Sequence, residues 1–230
     1  MKRELTVSLD GMGGDHGSDV IVAGAELASV RHPDVRFLFH GDEAKLKPLL
    51  EKHARLMSVS EIVHTDVAIA MDDKPSEALR RTRRSSSLWR AIDSVRAGQA
   101  QVAVSAGNTG ALMAMAKINL KTMPSIERPA LAALWPTLKG DTIVLDVGAT
   151  VDVDAMQLVQ FAAMGQAYAR ALYGIERPTV GLLNIGEEDV KGTESVKRAA
   201  QLLRESELPI EFVGFVEGDG IGQGVAGPRA

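Results

Sequence analysis

Three glycine-containing loops carry polar or charged side chains that could hold an anionic substrate. Each follows an apolar run typical of a buried strand; the loops cover residues 10–16, 105–110 and 184–192, with a weaker fourth at 146–149. In parallel α/β folds, ligands bind outside the carboxyl ends of the strands. The sequence therefore predicts substrate contacts from these loops.

The loop at residues 105–110 has the composition of a phosphate site. A helix is expected to begin near Thr109, and backbone N–H groups at a helix N-terminus attract anions. Gly107 would let the backbone approach such an anion closely. A helix N-cap without any ligand is the alternative interpretation of the same residues.

Lys191 is the cation of the third loop, next to Gly192 and close to three carboxylates. Beside a phosphate loop, an ammonium group can neutralise the anion or stabilise a developing oxyanion. The alternative is a solvated charged loop with no ligand.

Several familiar catalytic patterns are missing from the sequence. The first loop begins like the Gly-x-Gly-x-x-Gly fingerprint of dinucleotide-binding proteins, but His16 stands at the position of the last glycine. The loop either positions a polar substrate through Asp15 and His16 or is a glycine-rich turn without a ligand. No segment matches the P-loop pattern of nucleotide-binding proteins. Ser105 does not fit the Gly-x-Ser-x-Gly pattern of serine hydrolases, because Ala103 occupies the position of the first glycine. The histidines lack zinc-site spacing, and the chain has no cysteine. We therefore expect neither a cofactor nor a metal.

A cluster of four arginines stands out in a chain whose net charge is −4. Complementary charge selects partners and speeds association, so the cluster predicts a docking surface for an acidic partner. A solvated helix face is the alternative. Nucleic acid is not expected, because interleaved aromatic side chains are lacking. The four residues are Arg80, Arg81, Arg83 and Arg84.

Apolar runs alternate with helical patterns along most of the 230 residues. Strands are predicted at 5–9, 35–40, 59–63, 101–105, 130–134, 142–146, 180–184 and 210–213. Helices are predicted at 19–30, 42–54, 85–96, 109–119, 155–173 and 193–206, with Asp42 and Thr193 as N-caps. This alternation favours a three-layer α/β/α fold with a mainly parallel sheet. One α/β domain is expected over residues 1–217, followed by an irregular glycine-rich tail at 218–230.

The composition, 45% hydrophobic with a mean hydropathy of +0.01, is that of a globular protein. No apolar stretch approaches the roughly 20 residues that span a bilayer. The first ten residues lack the features of a secretory signal, so a cytoplasmic location is expected.

At these loops the chain resembles the PlsX-type phosphate acyltransferases, whose fold is similar to that of phosphotransacetylases and isocitrate dehydrogenases. The order and spacing of the blocks agree from about residue 4 to residue 217. The matching blocks are residues 9–16, 105–113, 128–130, 145–149, 181–186 and 191–192.

The resemblance implies that an acyl group passes from acyl carrier protein to inorganic phosphate, giving acyl phosphate. It further implies a homodimer, phospholipid synthesis, peripheral association with the membrane, and transfer of the product to a membrane glycerol-3-phosphate acyltransferase. Two alternatives stay open: a phosphotransacetylase-like enzyme that uses acyl-CoA, and a non-catalytic fragment that only binds acyl carrier protein. A nicotinamide-dependent dehydrogenase is the least favoured alternative.

The resemblance also assigns roles to individual residues. Phosphate binding is assigned to Ser105, Gly107, Asn108, Thr109 and Gly110, and catalysis to Lys191 and Asn184. The substrate pocket is assigned to Asp10, Gly13, Gly14, Asp15, His16, Asp146, Gly186 and Glu187. Docking of the carrier protein is assigned to the four arginines.

The sequence departs from the family in two places. Thr150 stands where many members carry Asn, a change that could remove one hydrogen bond. The resemblance ends near Gly218, whereas family members continue with a further strand, an Asp-Gly-Phe-x-Gly-Asn loop and amphipathic helices. A form truncated at its C-terminus is therefore expected.

Overall fold

A computed structural model describes residues 5–148, 152–186, 188 and 191–227. The chain divides into two compact units, Met1–Thr122 and Met123–Ala230. The domain predicted over residues 1–217 stays a prediction. Glu187, one of the predicted pocket residues, and Thr150 lie outside the described residues.

The first unit is built on a four-stranded parallel sheet in the order β3-β2-β1-β4. Its strands are β1 (Leu5–Asp10), β2 (Val35–Gly41), β3 (Ser60–His64) and β4 (Val102–Val104). Its helices are α1 (Gly17–Arg31), α2 (Glu43–Leu50), α3 (Ala54–Ser58), α4 (Pro75–Thr82), α5 (Ser87–Arg96) and α6 (Thr109–Leu120).

Helices cover both faces of this sheet, because successive strand residues point to opposite sides. Leu9, Phe37 and Phe39 belong to a buried cluster with residues of α1, α2 and α3. A second cluster packs α4, α5 and α6 together; it includes Trp89, and Ala103 of β4 packs against it. Because β1 and β4 pair in parallel, their carboxyl ends lie side by side at the same end of the sheet.

The second unit contains two separate ribbons. The strands β5 (Ala132–Thr137) and β6 (Gly140–Leu145) form an antiparallel hairpin, and β7 (Thr179–Leu183) pairs in parallel with β8 (Glu211–Val216). The helices are α7 (Ala155–Tyr173), α8 (Glu194–Glu205) and α9 (Gly218–Gln223).

The α/β fold with mainly parallel strands is confirmed. The hairpin is antiparallel because the turn between β5 and β6 is far too short for the crossover that parallel strands need. Asp42 and Thr193 are the N-caps of α2 and α8, as predicted, and each accepts a hydrogen bond from the backbone of the first turn.

Three helices differ from the sequence prediction. The single helix predicted at 42–54 is divided into α2 and α3, and α2 contains Pro48. The helix α4 was not predicted; it has Pro75 in its first turn, is eight residues long and buries only Ala78 and Thr82, so few apolar residues mark it in the sequence. Within the segment predicted to be irregular, α9 forms a short helix that ends at Gly224 with φ +68°.

No helix among the described residues combines the length and the apolar character needed to cross a bilayer.

Candidate functional site

A buried chain of hydrogen bonds connects the ends of β1 and β4. The Ser105 hydroxyl donates to Asp10 Oδ2 over 2.7 Å, and the Gly107 N–H donates to Ser105 Oγ over 3.0 Å. The Asp10 side chain is buried. The parallel register aligns Leu9 with Val104, so Asp10 and Ser105 follow side by side. This chain fixes the loop after β4 to the end of β1.

Glycine is required where these two loops touch. A Cβ on Gly13 would collide with the Asp10 carboxylate, and one on Gly107 would lie 3.1 Å from Ser105 Oγ. Gly14 has φ +92°, and a Cβ there would lie 2.8 Å from the Ala106 carbonyl oxygen. The first and second predicted loops are therefore packed backbone against backbone.

Asn108 is held by protein groups on both ends of its amide. Its Oδ1 accepts from the Ala111 N–H over 2.9 Å and so caps α6, while its Nδ2 donates to the carbonyls of Met71 (3.0 Å) and Asp73 (2.8 Å). The side chain is 8% exposed. This geometry makes Asn108 a positioning residue that ties the segment 70–73 to the loop, and its direct contact with phosphate stays a prediction.

The outward-facing part of the loop is the first turn of α6. The N–H groups of the first helical residues have no acceptor within the helix, and they lie at its positive end. Thr109, the first residue of this turn, is exposed. A Cβ on Gly110 would lie 2.6 Å from Pro75 Cγ, so only glycine allows this approach of α4. The binding of phosphate by Thr109 and Gly110 stays a prediction.

An open cleft lies along the first loop. Its walls include Met12, Gly14 and Asp15, and the segment 68–72 closes the opposite side. Asp15 and His16 are both exposed, and His16 occupies the N-cap position of α1 without a side-chain capping bond. Of the predicted pocket residues of the first loop, Gly14 and Asp15 therefore border the cleft, while Asp10 and Gly13 are buried beneath it.

In the second unit, the side chain of Asn184 holds the third loop together through hydrogen bonds to its backbone. Its Nδ2 donates to the carbonyls of Gly186 (3.0 Å) and Lys191 (3.2 Å), and Gly192, with φ +91°, lies directly against the same amide. Lys191 Nζ is 3.9 Å from the Glu188 carboxylate, and both side chains are at least half exposed. An exposed pair of this length contributes little, so the ammonium group is available to a ligand.

Asp146, which follows β6 in the weaker fourth loop, has a strained backbone conformation. Its φ is +61°, its N–H donates to the Leu131 carbonyl over 2.6 Å, and its own carbonyl accepts from Gly148 N–H over 2.8 Å. A non-glycine residue in the left-handed region is uncommon, and such residues cluster at functional sites. The pocket role of Asp146 stays a prediction.

The four arginines of the cluster differ in their contacts. Arg81 pairs with Asp73 over 2.7 Å, and the Arg83 guanidinium lies 5.3 Å from the centre of the Trp89 ring. Both contacts stabilise the fold around α4 and α5. Arg80 and Arg84 have no carboxylate partner among the described residues and are exposed, so they are the pair free to meet an acidic surface.

His40 is a buried residue of this region that the sequence motifs did not single out. Its carbonyl accepts from Gly11 N–H over 2.8 Å, and its Nε2 lies 3.1 Å from Ser94 Oγ. Burial lowers the pKa of His40 from 6.5 to about 4; Arg90 acts in the same direction and Asp93 opposes it. A single histidine at the end of a strand forms no sequence motif, so its burial and its lowered pKa could not be predicted from the sequence.

Comparison with known proteins identifies the family. The family model described as "Fatty acid synthesis protein" matches residues 5–227. A phosphate acyltransferase of Parvibaculum lavamentivorans is 68% identical over 224 residues, which are 97% of this chain and 62% of that protein. One of Nitrobacter hamburgensis is 57% identical over 227 residues, 98% of this chain and 64% of that protein. The chain thus spans less than two thirds of the length of these relatives.

Solved structures share the fold at low sequence identity. A phosphotransacetylase from Streptococcus pyogenes superposes with a TM-score of 0.68 at 16% identity, covering 95% of this chain and 70% of that one. A branched-chain phosphotransacylase from Enterococcus faecalis gives a TM-score of 0.53 at 14% identity, covering 93% of this chain and 67% of that one. Taken with the family match, these findings show that the chain belongs to the fatty acid synthesis protein family and is a relative of the PlsX-type phosphate acyltransferases, with a phosphotransacetylase-like fold.

Proposed function

We propose that this chain carries the catalytic loops of an acyltransferase that moves a fatty acyl group from acyl carrier protein to inorganic phosphate. The observation that carries the proposal is the 68% identity to a phosphate acyltransferase across 97% of the chain. The exposed first turn of α6, where Thr109 and Gly110 precede the N–H group that Asn108 caps, supports it, since a helix N-terminus suits phosphate.

The reaction needs no nucleophile from the protein. A phosphate oxygen attacks the thioester carbonyl carbon and forms a tetrahedral intermediate that carries an oxyanion. Collapse of this intermediate breaks the C–S bond, gives acyl phosphate, and releases the carrier thiolate, which takes up a proton. The protein contributes alignment of the two reactants and stabilisation of the developing charge.

Six of the predicted residues have a defined part in this scheme. The N–H groups of Thr109 and Gly110 bind phosphate, and the Asp10–Ser105 hydrogen bond holds their loop in place. The ammonium group of Lys191 stabilises the phosphate or the oxyanion, and Asn184 holds the backbone of Lys191.

The partner that we propose is acyl carrier protein, an acidic protein that would meet Arg80 and Arg84. As a homodimer in the cytoplasm, associated peripherally with the membrane, the enzyme would pass acyl phosphate to a membrane glycerol-3-phosphate acyltransferase for phospholipid synthesis. These assignments rest on the family and are part of the proposal.

The test is an acyl-phosphate assay in which hydroxylamine traps the product. The purified chain is given phosphate with either acyl carrier protein thioester or acyl-CoA, beside the Parvibaculum relative as reference. We expect phosphate-dependent hydroxamate with the carrier protein thioester. Product from acyl-CoA alone would favour a phosphotransacetylase-like enzyme. Carrier-protein binding without product would indicate the non-catalytic alternative.

A further inference from the structure

The open cleft along the first loop adjoins the loop at residues 105–110 on both of its sides. On one side, Gly14 lines the cleft and packs so closely on Ala106 that a Cβ would lie 2.8 Å from the Ala106 carbonyl oxygen. On the other side, Asn108 Nδ2 donates to the Met71 carbonyl over 3.0 Å. The cleft therefore lies directly against the loop for which phosphate binding is predicted.

The segment that forms the far wall of the cleft is fixed through its backbone. Asp73 Oδ2 accepts from the Ala70 N–H over 3.1 Å, and Asp73 Oδ1 accepts from Arg81 over 2.7 Å. Together with the hydrogen bond from Asn108, these contacts hold the main chain at Met71 in place. The Met71 side chain lines the cleft and is 42% exposed. A flexible thioether side chain on a fixed backbone can adapt its shape to an apolar ligand.

The first loop supplies a second methionine to the cleft. The sulfur of Met12 accepts from the Asp42 N–H over 3.3 Å, so this side chain is held and half-buried. Ala68, Ile69 and Ala70 complete the apolar lining. The volume of the cleft, about 630 Å³, lies within the range of about 300–1,000 Å³ that is typical of small-molecule pockets.

The charges around the cleft disfavour an anionic ligand inside it. Asp15 and Asp72 are exposed at its border, and the described residues that line it include no lysine, arginine or histidine. Their side chains offer hydrogen-bond acceptors but no donor. A hydrocarbon chain carries no charge and needs no donor, whereas the amide groups of the pantetheine arm that carries the thioester need both donors and acceptors.

The geometry of the proposed reaction brings the acyl chain to this surface. Attack requires the thioester carbonyl carbon to lie about 3–3.5 Å from a phosphate oxygen. With phosphate at the first turn of α6, the carbons that follow the carbonyl must lie on the surface next to residues 105–110. The cleft is an apolar surface in that position.

We propose that this cleft binds the fatty acyl chain from its carbonyl end, and that Met71 determines which chain lengths are accepted. The inference rests on the proposed acyl transfer and adds to it the surface that recognises the chain. Each methylene buried against apolar side chains strengthens binding by about fourfold. Acyl groups are therefore used more efficiently as they lengthen, until the cleft is filled.

A photoreactive alkylphosphonate tests where the chain lies. This probe resembles acyl phosphate but has no carbonyl group to transfer, and it carries a diazirine on the carbons next to the phosphonate. After irradiation, mass spectrometry of the digested chain should find the label in residues 12–15 and 68–72, and excess inorganic phosphate should reduce it. Label only in other segments, or no label, would overturn the proposal.

Two methionines of similar exposure provide a matched pair of variants. Met71 is 42% exposed in the cleft, and Met57 is 39% exposed on α3. Met71→Trp fills part of the cleft and should reduce labelling of residues 12–15 by about tenfold, whereas Met57→Trp should leave it unchanged. Met71→Gln, which keeps the size but adds a polar amide, should also reduce labelling and takes the place of Met71→Trp if that variant fails to fold. Full labelling in a folded Met71 variant would refute the proposal.

The acyl-phosphate assay separates this inference from the proposed function. With carrier-protein thioesters from butyryl to palmitoyl, Met71→Trp should lower kcat/KM for palmitoyl about tenfold more than for butyryl. An equal fall at every chain length would place the pantetheine arm, rather than the acyl chain, in the cleft and contradict the proposal. Turnover with label outside the cleft would refute only the acyl site, whereas label in the cleft without turnover would refute only the transfer.

Discussion

The buried histidine at the end of β2 predicts a specific loss of stability in acid. His40 is 2% exposed, and burial lowers its pKa from 6.5 to about 4. Because the folded-state pKa is depressed, the neutral ring contributes its full stability above pH 6.5. As the pH falls below 6.5, the unfolded chain binds a proton that the folded chain does not, and the free energy of unfolding decreases.

The magnitude follows from the two pKa values. At about 1.4 kcal/mol per pH unit, the interval from 6.5 to about 4 corresponds to about 3 kcal/mol, most of it lost by pH 4. Below that value the folded protein also binds the proton and this loss stops. Between pH 6.5 and about pH 5, roughly 2 kcal/mol of the decrease should come from His40.

Urea unfolding of the parent chain and of His40→Gln, at both pH values, isolates this contribution. All other titrating groups act equally in the two proteins, so the variant should lose about 2 kcal/mol less than the parent over the interval. His32→Gln, at an exposed histidine, serves as control and should behave like the parent. Equal losses in the parent and in His40→Gln would refute the reasoning.

Four further changes test the site and its surroundings. Asn108→Ala should lower the free energy of unfolding by about 1–3 kcal/mol, measured by urea denaturation, because it removes the α6 cap and leaves buried carbonyls unpaired. Gly14→Ala should lower the melting temperature, because φ +92° is strained for alanine and the new Cβ would collide with the Ala106 carbonyl oxygen. Lys191→Met should reduce acyl-phosphate formation by about a hundred- to a thousand-fold, and unchanged turnover would exclude its role. Arg84→Glu should raise the KM for the carrier-protein thioester with little change in kcat; a KM equal to the parent's would contradict docking there.

Much of the first unit's architecture could be predicted, because its signals are local. Strand alternation placed β1 and β4 in one parallel sheet, and parallel strands bring their carboxyl ends to a common edge. Asp10 ends β1 and Ser105 follows β4, so both lie at that edge, where a 2.7 Å hydrogen bond joins them. The N-cap at Thr193 likewise depends only on the residues that follow it.

Contacts between distant segments could not be predicted from local patterns. The Asn108 amide donates to the Asp73 carbonyl, 35 residues earlier, and no local pattern indicates this contact. The need for glycine at position 13 arises from a carboxylate that only the fold brings close. The helix α4 was missed because it is short and contains few apolar residues.

The central claim is that phosphate attacks the thioester directly, without an acylated form of the protein. The decisive measurement incubates the chain with phosphate and an acyl carrier protein thioester labelled at its carbonyl carbon, and follows both substrates by carbon and phosphorus NMR. The account predicts a carbonyl signal that passes from thioester to acyl phosphate and couples to phosphorus, while the protein mass stays constant. A thioester signal unaffected by phosphate, or a protein that gains the mass of the acyl group during turnover, would contradict it.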